Sequence, residues 1–171
     1  MKKMLLIASV LLIVLAACNM GNVGIDRNPN GGIDISLTLT ESEVNTLITE
    51  AIAQAEASGE SVRVRNPSVD LQAGQMVISG EYEQQNGTGN FVNGSLTLAV
   101  TTSDGQVQVA VTQADIQGIE ANDERLQQIA DRINQALNSR ASRDNGPNVR
   151  LTGATITDTD MTLVINLQQG Q

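Results

Sequence analysis

Apolar and polar residues alternate one by one through much of this chain. Ile33, Ile35, Leu37 and Leu39 are separated by Asp34, Ser36 and Thr38, the period-two signature of a strand with one buried face. Thr40 then opens a Thr-x-x-Glu sequence ending at Glu43, in which hydroxyl and carboxylate satisfy orphan amides at a helix start. The period changes there. Val44, Leu47, Ile48, Ala51, Ile52 and Ala55 recur at helical spacing up to Gly59, a suitable C-terminal cap. Period two returns over residues 61–71, 75–84, 88–102 and 106–117, with turn signals at Ala73-Gly74, Asn86-Gly87 and Asp104-Gly105. Val92, Leu96, Leu98 and Val100 share one face of the third stretch, and Val107, Val109 and Val111 one face of the fourth. Their other faces are mainly Thr, Ser, Asn and Gln, as in a sheet with one side in water. A second helix is predicted from Asn122-Asp123-Glu124 to Arg140, its end charges matching the helix dipole and Leu126, Ile129, Ala130, Ile133 and Leu137 forming its stripe. Strands at 149–157 and 161–167, joined by Asp158-Thr159-Asp160, complete the pattern.

Strand-like segments outnumber helical ones, and each helix carries a single stripe. The expected fold is α+β, with a mainly antiparallel sheet of five to seven strands and both amphipathic helices packed on its one apolar face. A shift of 85 residues lays Val64 on Val149, Leu71 on Ile156, Met76 on Met161 and Ile78 on Leu163. Each of these paired segments follows a helix, so the chain reads as two helix-then-hairpin units, whether by duplication or by convergence of amphipathic patterns.

The N-terminus follows a different rule. Lys2 and Lys3 precede an apolar stretch, Met4 to Val14, broken only by Ser9, the layout of a secretory signal peptide. About 14 residues from Met4 to Ala17 fall short of the roughly 20 that a helix needs to cross the hydrocarbon core. The stretch closes in Leu15-Ala16-Ala17-Cys18, which contains the only cysteine and resembles a bacterial lipobox. That resemblance implies cleavage before Cys18 and acylation of its sulfur, and two or more acyl chains satisfy the two-signal requirement for stable anchoring. Residues 18–32 then read as the lipidated cysteine and a flexible Asn- and Gly-containing tether, 33–168 as a single domain, and 1–17 as the leader. The expected location is the bacterial cell envelope, lipid-anchored on the extracytoplasmic side of a membrane.

Charge and composition narrow the chemistry. The whole chain carries −9, and loss of both lysines with the leader leaves eight arginines against 19 acidic residues, or −11. Such a surface is repelled by phosphate backbones and anionic headgroups, which disfavours nucleic acid and electrostatic membrane docking. There is no histidine, and the lone cysteine is assigned to lipid, so zinc sites and Ser-His or Cys-His catalysis as usually built are not expected. Asp158 and Asp160 offer two hard ligands where calcium takes six to eight, and read as turn residues. Glu81 and Glu83 lie on one strand face like a glycosidase dyad, but the chain has no tryptophan to floor a sugar cleft, so the pair is expected on a solvated strand face. Asn86-Gly-Thr and Asn93-Gly-Ser read as hairpin turns, and Arg63 and Arg65 as partners for nearby carboxylates or for an anion. The expectation is a protein with no catalytic residues, no metal and no cofactor. Tyr82 and Phe91 are its only rings, so the core must be aliphatic.

The element order, with Leu39-Thr40 to Asn45 opening a helix, Asp104-Gly105-Gln106 before a strand, Ile116-Gln117-Gly118, then a second helix and a final hairpin, resembles the small bacterial envelope lipoproteins related to the tubular lipid-binding, or TULIP-like, proteins. The resemblance spans about residues 33–168. It implies helices packed across a strongly curved antiparallel sheet, with acyl chains in the space between them. Leu47, Ile48, Ala51, Leu96, Leu98, Val109, Ile129, Ala130 and Ile133 are the candidate lining, and they are also what an ordinary packed core would use. Two readings follow. In one, a membrane-anchored lipoprotein binds or transfers a lipid or other apolar ligand; in the other, a structural or adaptor lipoprotein with a packed core meets an envelope protein partner.

Overall fold

A computed structural model of the chain describes residues 22–27, 32–57, 59, 63–84, 88–141 and 149–167. Two helices, α1 (Glu41–Ala57) and α2 (Glu124–Ala141), accompany eight strands: β1 (Asn22–Arg27), β2 (Ile33–Thr40), β3 (Val64–Gln72), β4 (Gln75–Glu83), β5 (Phe91–Ser103), β6 (Gln106–Ile116), β7 (Val149–Ile156) and β8 (Asp160–Leu167). The α+β class, the antiparallel pairing and both helices are as the periodicity predicts. The single sheet of five to seven strands is not. The strands divide into two four-stranded antiparallel sheets, ordered β1-β2-β8-β7 and β3-β4-β5-β6. Edge strand β7 packs against β5 and β6, and the Leu151 amide donates to the Gly105 carbonyl at 3.2 Å. The extra strand is β1, whose six residues lie within the stretch read as a tether and pair in register with β2. Cys18, the leader and the Asn86-Gly87 turn lie outside the described residues.

Local chemistry explains the element ends. Thr40 caps α1: its amide donates to the Glu43 carboxylate at 2.8 Å, and the Glu43 amide to the Thr40 hydroxyl at 3.4 Å, the two halves of the predicted capping box. Gly59 follows α1 with φ 73°. Asp104 (φ 54°) and Gly105 (φ 78°) both adopt positive φ between β5 and β6, the conformation of a type I′ hairpin turn, for which Asp-Gly is favoured. Sheet curvature has a local source as well. Gly80 and Gly94 face each other across β4 and β5, and a Cβ on Gly94 would lie 2.7 Å from the Asp115 carbonyl. Only glycine lets the backbones approach so closely.

The 85-residue repeat is visible in strand register. Leu71 pairs with Met76 and Val69 with Ile78; at the same offset, Ile156 pairs with Met161 and Ala154 with Leu163. Each hairpin breaks register at the corresponding place, between Arg65 and Ser68 in one and between Leu151 and Gly153 in the other. A shared bulge is a finer likeness than amphipathic pattern alone, because bulges are placed features of a strand rather than a consequence of its polarity. The two hairpin turns also meet. The Ala73 amide donates to Asp158 Oδ1 and the Gly74 amide to the Ile156 carbonyl, both at 3.0 Å.

Candidate functional site

Apolar faces of both sheets and both helices converge on one continuous cluster. From α1 come Leu47, Ile48 and Ala51, from α2 Ile129, Ala130 and Ile133, and from β5 Leu96 and Leu98, all buried. Val109 on β6 is half-buried and packs against the cluster. All nine candidate lining residues are therefore brought to one interior. It is aliphatic apart from Tyr82, whose hydroxyl donates to the Ile78 carbonyl at 2.7 Å, because a buried phenol needs a partner.

Polar side chains on the helices reach out and close this interior at the edges of the second sheet. Edge strand β3 points amides away from β4. The Leu71 amide donates to Glu41, that of Val69 to Asn45 and that of Val64 to Glu56, at 3.0, 2.9 and 2.6 Å. The three acceptors lie within about 60° of one another around α1, and Pro67, with no N–H to leave unpaired, is accommodated on this edge strand. At the opposite edge, the amide group of Asn138 on α2 accepts from the Val107 N–H at 2.8 Å and donates to the Val107 carbonyl at 3.0 Å, reproducing a rung of ladder. The helices are thus latched to both edges, which also covers strand edges that would otherwise template further pairing.

Between α1 and α2 runs a groove of about 330 Å³. Leu47 and Ala51 of α1 and Ala136 of α2 provide its apolar lining, with Glu50 and Gln54 from one helix and Arg132, Gln135, Ser139 and Arg140 from the other. Leu47 and Ala51 belong to both groove and core, so the groove is where the interior comes nearest to water between the helices. Its chemistry is mixed: aliphatic surface suits a hydrocarbon chain, and two guanidinium groups eight residues apart on one helix suit a phosphate. Arg132 and Arg140 were not singled out from sequence. The usable signal was their spacing, which with Ala136 places them on one face of α2.

The other polar candidates have structural partners. Glu83, expected on a solvated face, is fully buried; Arg63 offsets its charge by a two-point contact, Nε to Oε2 at 2.8 Å and Nη2 to Oε1 at 2.6 Å, and Glu83 also accepts from the Gly89 amide. The Arg65 guanidinium lies 3.6 Å from the centroid of the Phe91 ring. Glu81 pairs in strand register with Arg65 of β3 and with Asn93 of β5; Asn93-Gly94 thus lies inside a strand and is not the hairpin turn expected of it, because Gly94 sits opposite Gly80 at a close approach of two strands. Asp158 ties the two hairpin turns together, and Asp160 accepts from the Thr159 hydroxyl at 2.7 Å. Asp123 caps α2 by accepting from the Arg125 amide. The Arg125 side chain bonds back to it, holding that carboxyl below its ordinary range, and reaches the Gln84 carbonyl.

No helix among the described residues is long and apolar enough to cross a membrane. No curated protein matches the chain. The model of the LmeA-like phospholipid-binding family does, over residues 16–165.

Proposed function

The chain belongs to the LmeA-like phospholipid-binding family, a lipid-binding family of the TULIP-like class, and from that premise we propose that it is a lipid-anchored envelope protein that takes up a phospholipid between its helices and sheets and passes it on. The observation that carries the reading is the seam between α1 and α2, where Leu47 and Ala51 join an aliphatic interior to a groove bearing Arg132 and Arg140. The phosphodiester pairs with the two arginines, and the acyl chains pass Leu47 and Ala51 toward Ile48, Leu96, Leu98, Val109, Ile129, Ala130 and Ile133. Hydrocarbon on aliphatic surface is driven by burial and requires no chemical step, so the protein acts as a carrier, without catalytic residues or cofactor. The family assignment favours this over the adaptor reading. Acylation of Cys18, after removal of residues 1–17, supplies the membrane anchor.

The reading is tested by mass spectrometry of the purified mature protein under native conditions, together with transfer of a fluorescent phosphatidylglycerol or phosphatidylethanolamine between vesicles. Bound phospholipid and protein-dependent transfer are expected, both reduced several-fold in the Arg132→Gln/Arg140→Gln protein. Protein that purifies without lipid and takes none from vesicles refutes it.

A further inference from the structure

The apolar face of the first sheet does not end where the helices stop covering it. Cross-strand register places Ile25, Ile35, Ile165 and Leu151 in one row and Val23, Leu37, Leu163 and Ala154 in the next. Along these rows cover falls away: Leu163 and Ile165 are buried, Leu37 and Ile35 half-buried, and Val23 and Ile25 are 47% and 70% exposed. Val23 and Ile25 are the exposed large apolar side chains among the described residues. The reverse face of the same strand pair carries Asn22, Gly24 and Asp26 opposite Thr38, Ser36 and Asp34. The outer edge of the sheet is therefore amphipathic, with an apolar ledge continuous with the core.

Its position along the chain gives the ledge an occupant. Because β1 begins at Asn22, only residues 19–21 separate it from Cys18, and four residue steps reach at most about 14 Å. A 14-residue tether would instead allow about 50 Å at full extension. An acylated Cys18 cannot then leave the domain free to stand off the bilayer at any orientation. It holds the β1 edge at the headgroup layer, and the side of that edge with lowest cost in contact with lipid is the one bearing Val23 and Ile25. We propose that the exposed ledge of β1 and β2 is a membrane-docking surface, which lays the first sheet's open apolar edge into the headgroup region of the bilayer that carries the anchor. The contact is apolar in origin, and Arg27, on the same face as Ile33 and Leu167, ends the row with an aliphatic stem and a charge suited to the interface. The net charge of −11 makes anionic lipid unnecessary to it and mildly unfavourable.

This inference rests on the proposed acylation of Cys18, and the test separates the two. The mature, membrane-extracted protein is reconstituted in phosphatidylcholine vesicles as three forms: unaltered, Ile25→Cys, and Asn93→Cys, the last on an exposed position near the start of β5 in the second sheet. Each is treated with a thiol-reactive, polarity-sensitive fluorophore. The unaltered form should take no label, since its only sulfhydryl is blocked; labelling there overturns the anchor and the docking together. With the anchor in place, the Ile25 probe should be blue-shifted and shielded from aqueous iodide, and the Asn93 probe should remain in water. An Ile25 probe as accessible to iodide as the Asn93 probe overturns the docking surface while leaving the anchor standing. Shielding that persists in detergent micelles and grows with protein concentration assigns the ledge to a second copy of the chain instead, and also overturns the proposal. As a second arm, Val23→Asn/Ile25→Asn replaces exposed side chains and leaves folding intact. It should lower phospholipid transfer several-fold with the anchor unchanged, and undiminished transfer refutes the docking role.

Discussion

Tyr82 provides an unusually clean test of how this core is closed. It is the only tyrosine, there is no tryptophan, and no lysine occurs beyond Lys3, so in the folded domain no other side chain ionises between about pH 9 and pH 12 except arginine at the far limit. The ring is fully buried and its hydroxyl donates to the Ile78 carbonyl at 2.7 Å. Burial disfavours the phenolate and pushes this phenol well above its ordinary value near 10. The unfolded chain loses the proton near pH 10 while the folded chain keeps it, so stability is complete below that pH and declines above it until the folded phenol also ionises. Two pH units beyond the unfolded value amount to about 2.7 kcal/mol, a large share of a total that runs about 5 to 15 kcal/mol in ordinary domains. Tyrosinate absorbance reads the residue directly, and urea unfolding followed by circular dichroism at about pH 8, 10, 11 and 12 reads its consequence. Tyr82→Phe loses the hydrogen bond, about 1 kcal/mol at neutral pH, but should be flat with pH, so the two stability curves cross near pH 11. Tyrosinate appearing in the folded protein at pH 10, or an equally steep decline in Tyr82→Phe, refutes the reasoning.

Five further substitutions, in three comparisons, probe the architecture. Asn138→Leu strands the N–H and C=O of buried Val107 and should cost about 2 to 4 kcal/mol, measured by urea unfolding, with faster amide exchange at Val107. Gly94→Ala drives a Cβ to 2.7 Å from the Asp115 carbonyl and should destabilise by about 2 kcal/mol or more; Gly24→Ala, whose Cβ would meet nothing closer than 3.7 Å, should stay within about 0.5 kcal/mol of the parent. Ala51→Phe and Ala130→Leu add volume between helix and sheet, which costs about 1 to 3 kcal/mol in a close-packed core. In a lipid-holding interior the same variants should remain stable and lose co-purifying lipid, so clear destabilisation of both in a protein that purifies empty counts against the cavity.

The periodic elements were legible because their signal is local. Seven of the eight strands and both helices sit within a few residues of where alternation and 3.6-residue spacing place them, and the Thr40–Glu43 box and the Asp104-Gly105 turn appear as their chemistry requires. The nine candidate lining residues converge for the same reason, since an apolar stripe has only one place to go in a domain of this size. β1 escaped because its sequence, Asn-Val-Gly-Ile-Asp-Arg, alternates over only two apolar positions and contains a glycine, which composition reads as linker. Division into two sheets was not legible either. Strand order is fixed by pairing between segments distant in sequence, such as β2 with β8, and amphipathic alternation carries no address for the partner.

The helix-to-edge latches were invisible for a more instructive reason. Asn45, Glu56 and Asn138 are polar residues beside the apolar stripes and Glu41 stands before the first apolar position of its own, so a pattern reading assigns all four to solvent. In the structure they are what holds each helix to a strand edge. A hydrogen bond of this kind contributes about 1 kcal/mol net, whereas a buried Leu or Ile contributes about 1.5 to 3 kcal/mol. The sheets and the inner helix faces therefore supply most of the stability, and the seams between helix and sheet edge are closed by small, separable increments. Parting a helix from its edge breaks a few such bonds and exposes the stripe beneath. An acyl chain arriving at that stripe re-covers the exposed apolar surface but offers no partner to the freed Val107 or Val69 amides. Lipid entry and latch opening are thus energetically distinct. Weakening a latch by Glu56→Gln, which keeps an oxygen acceptor for the Val64 N–H but removes its charge, should accelerate phospholipid uptake while lowering stability by less than Asn138→Leu. Uptake rates that follow global stability alone, with no separate effect of the latch, would place the entry route elsewhere than the helix seams.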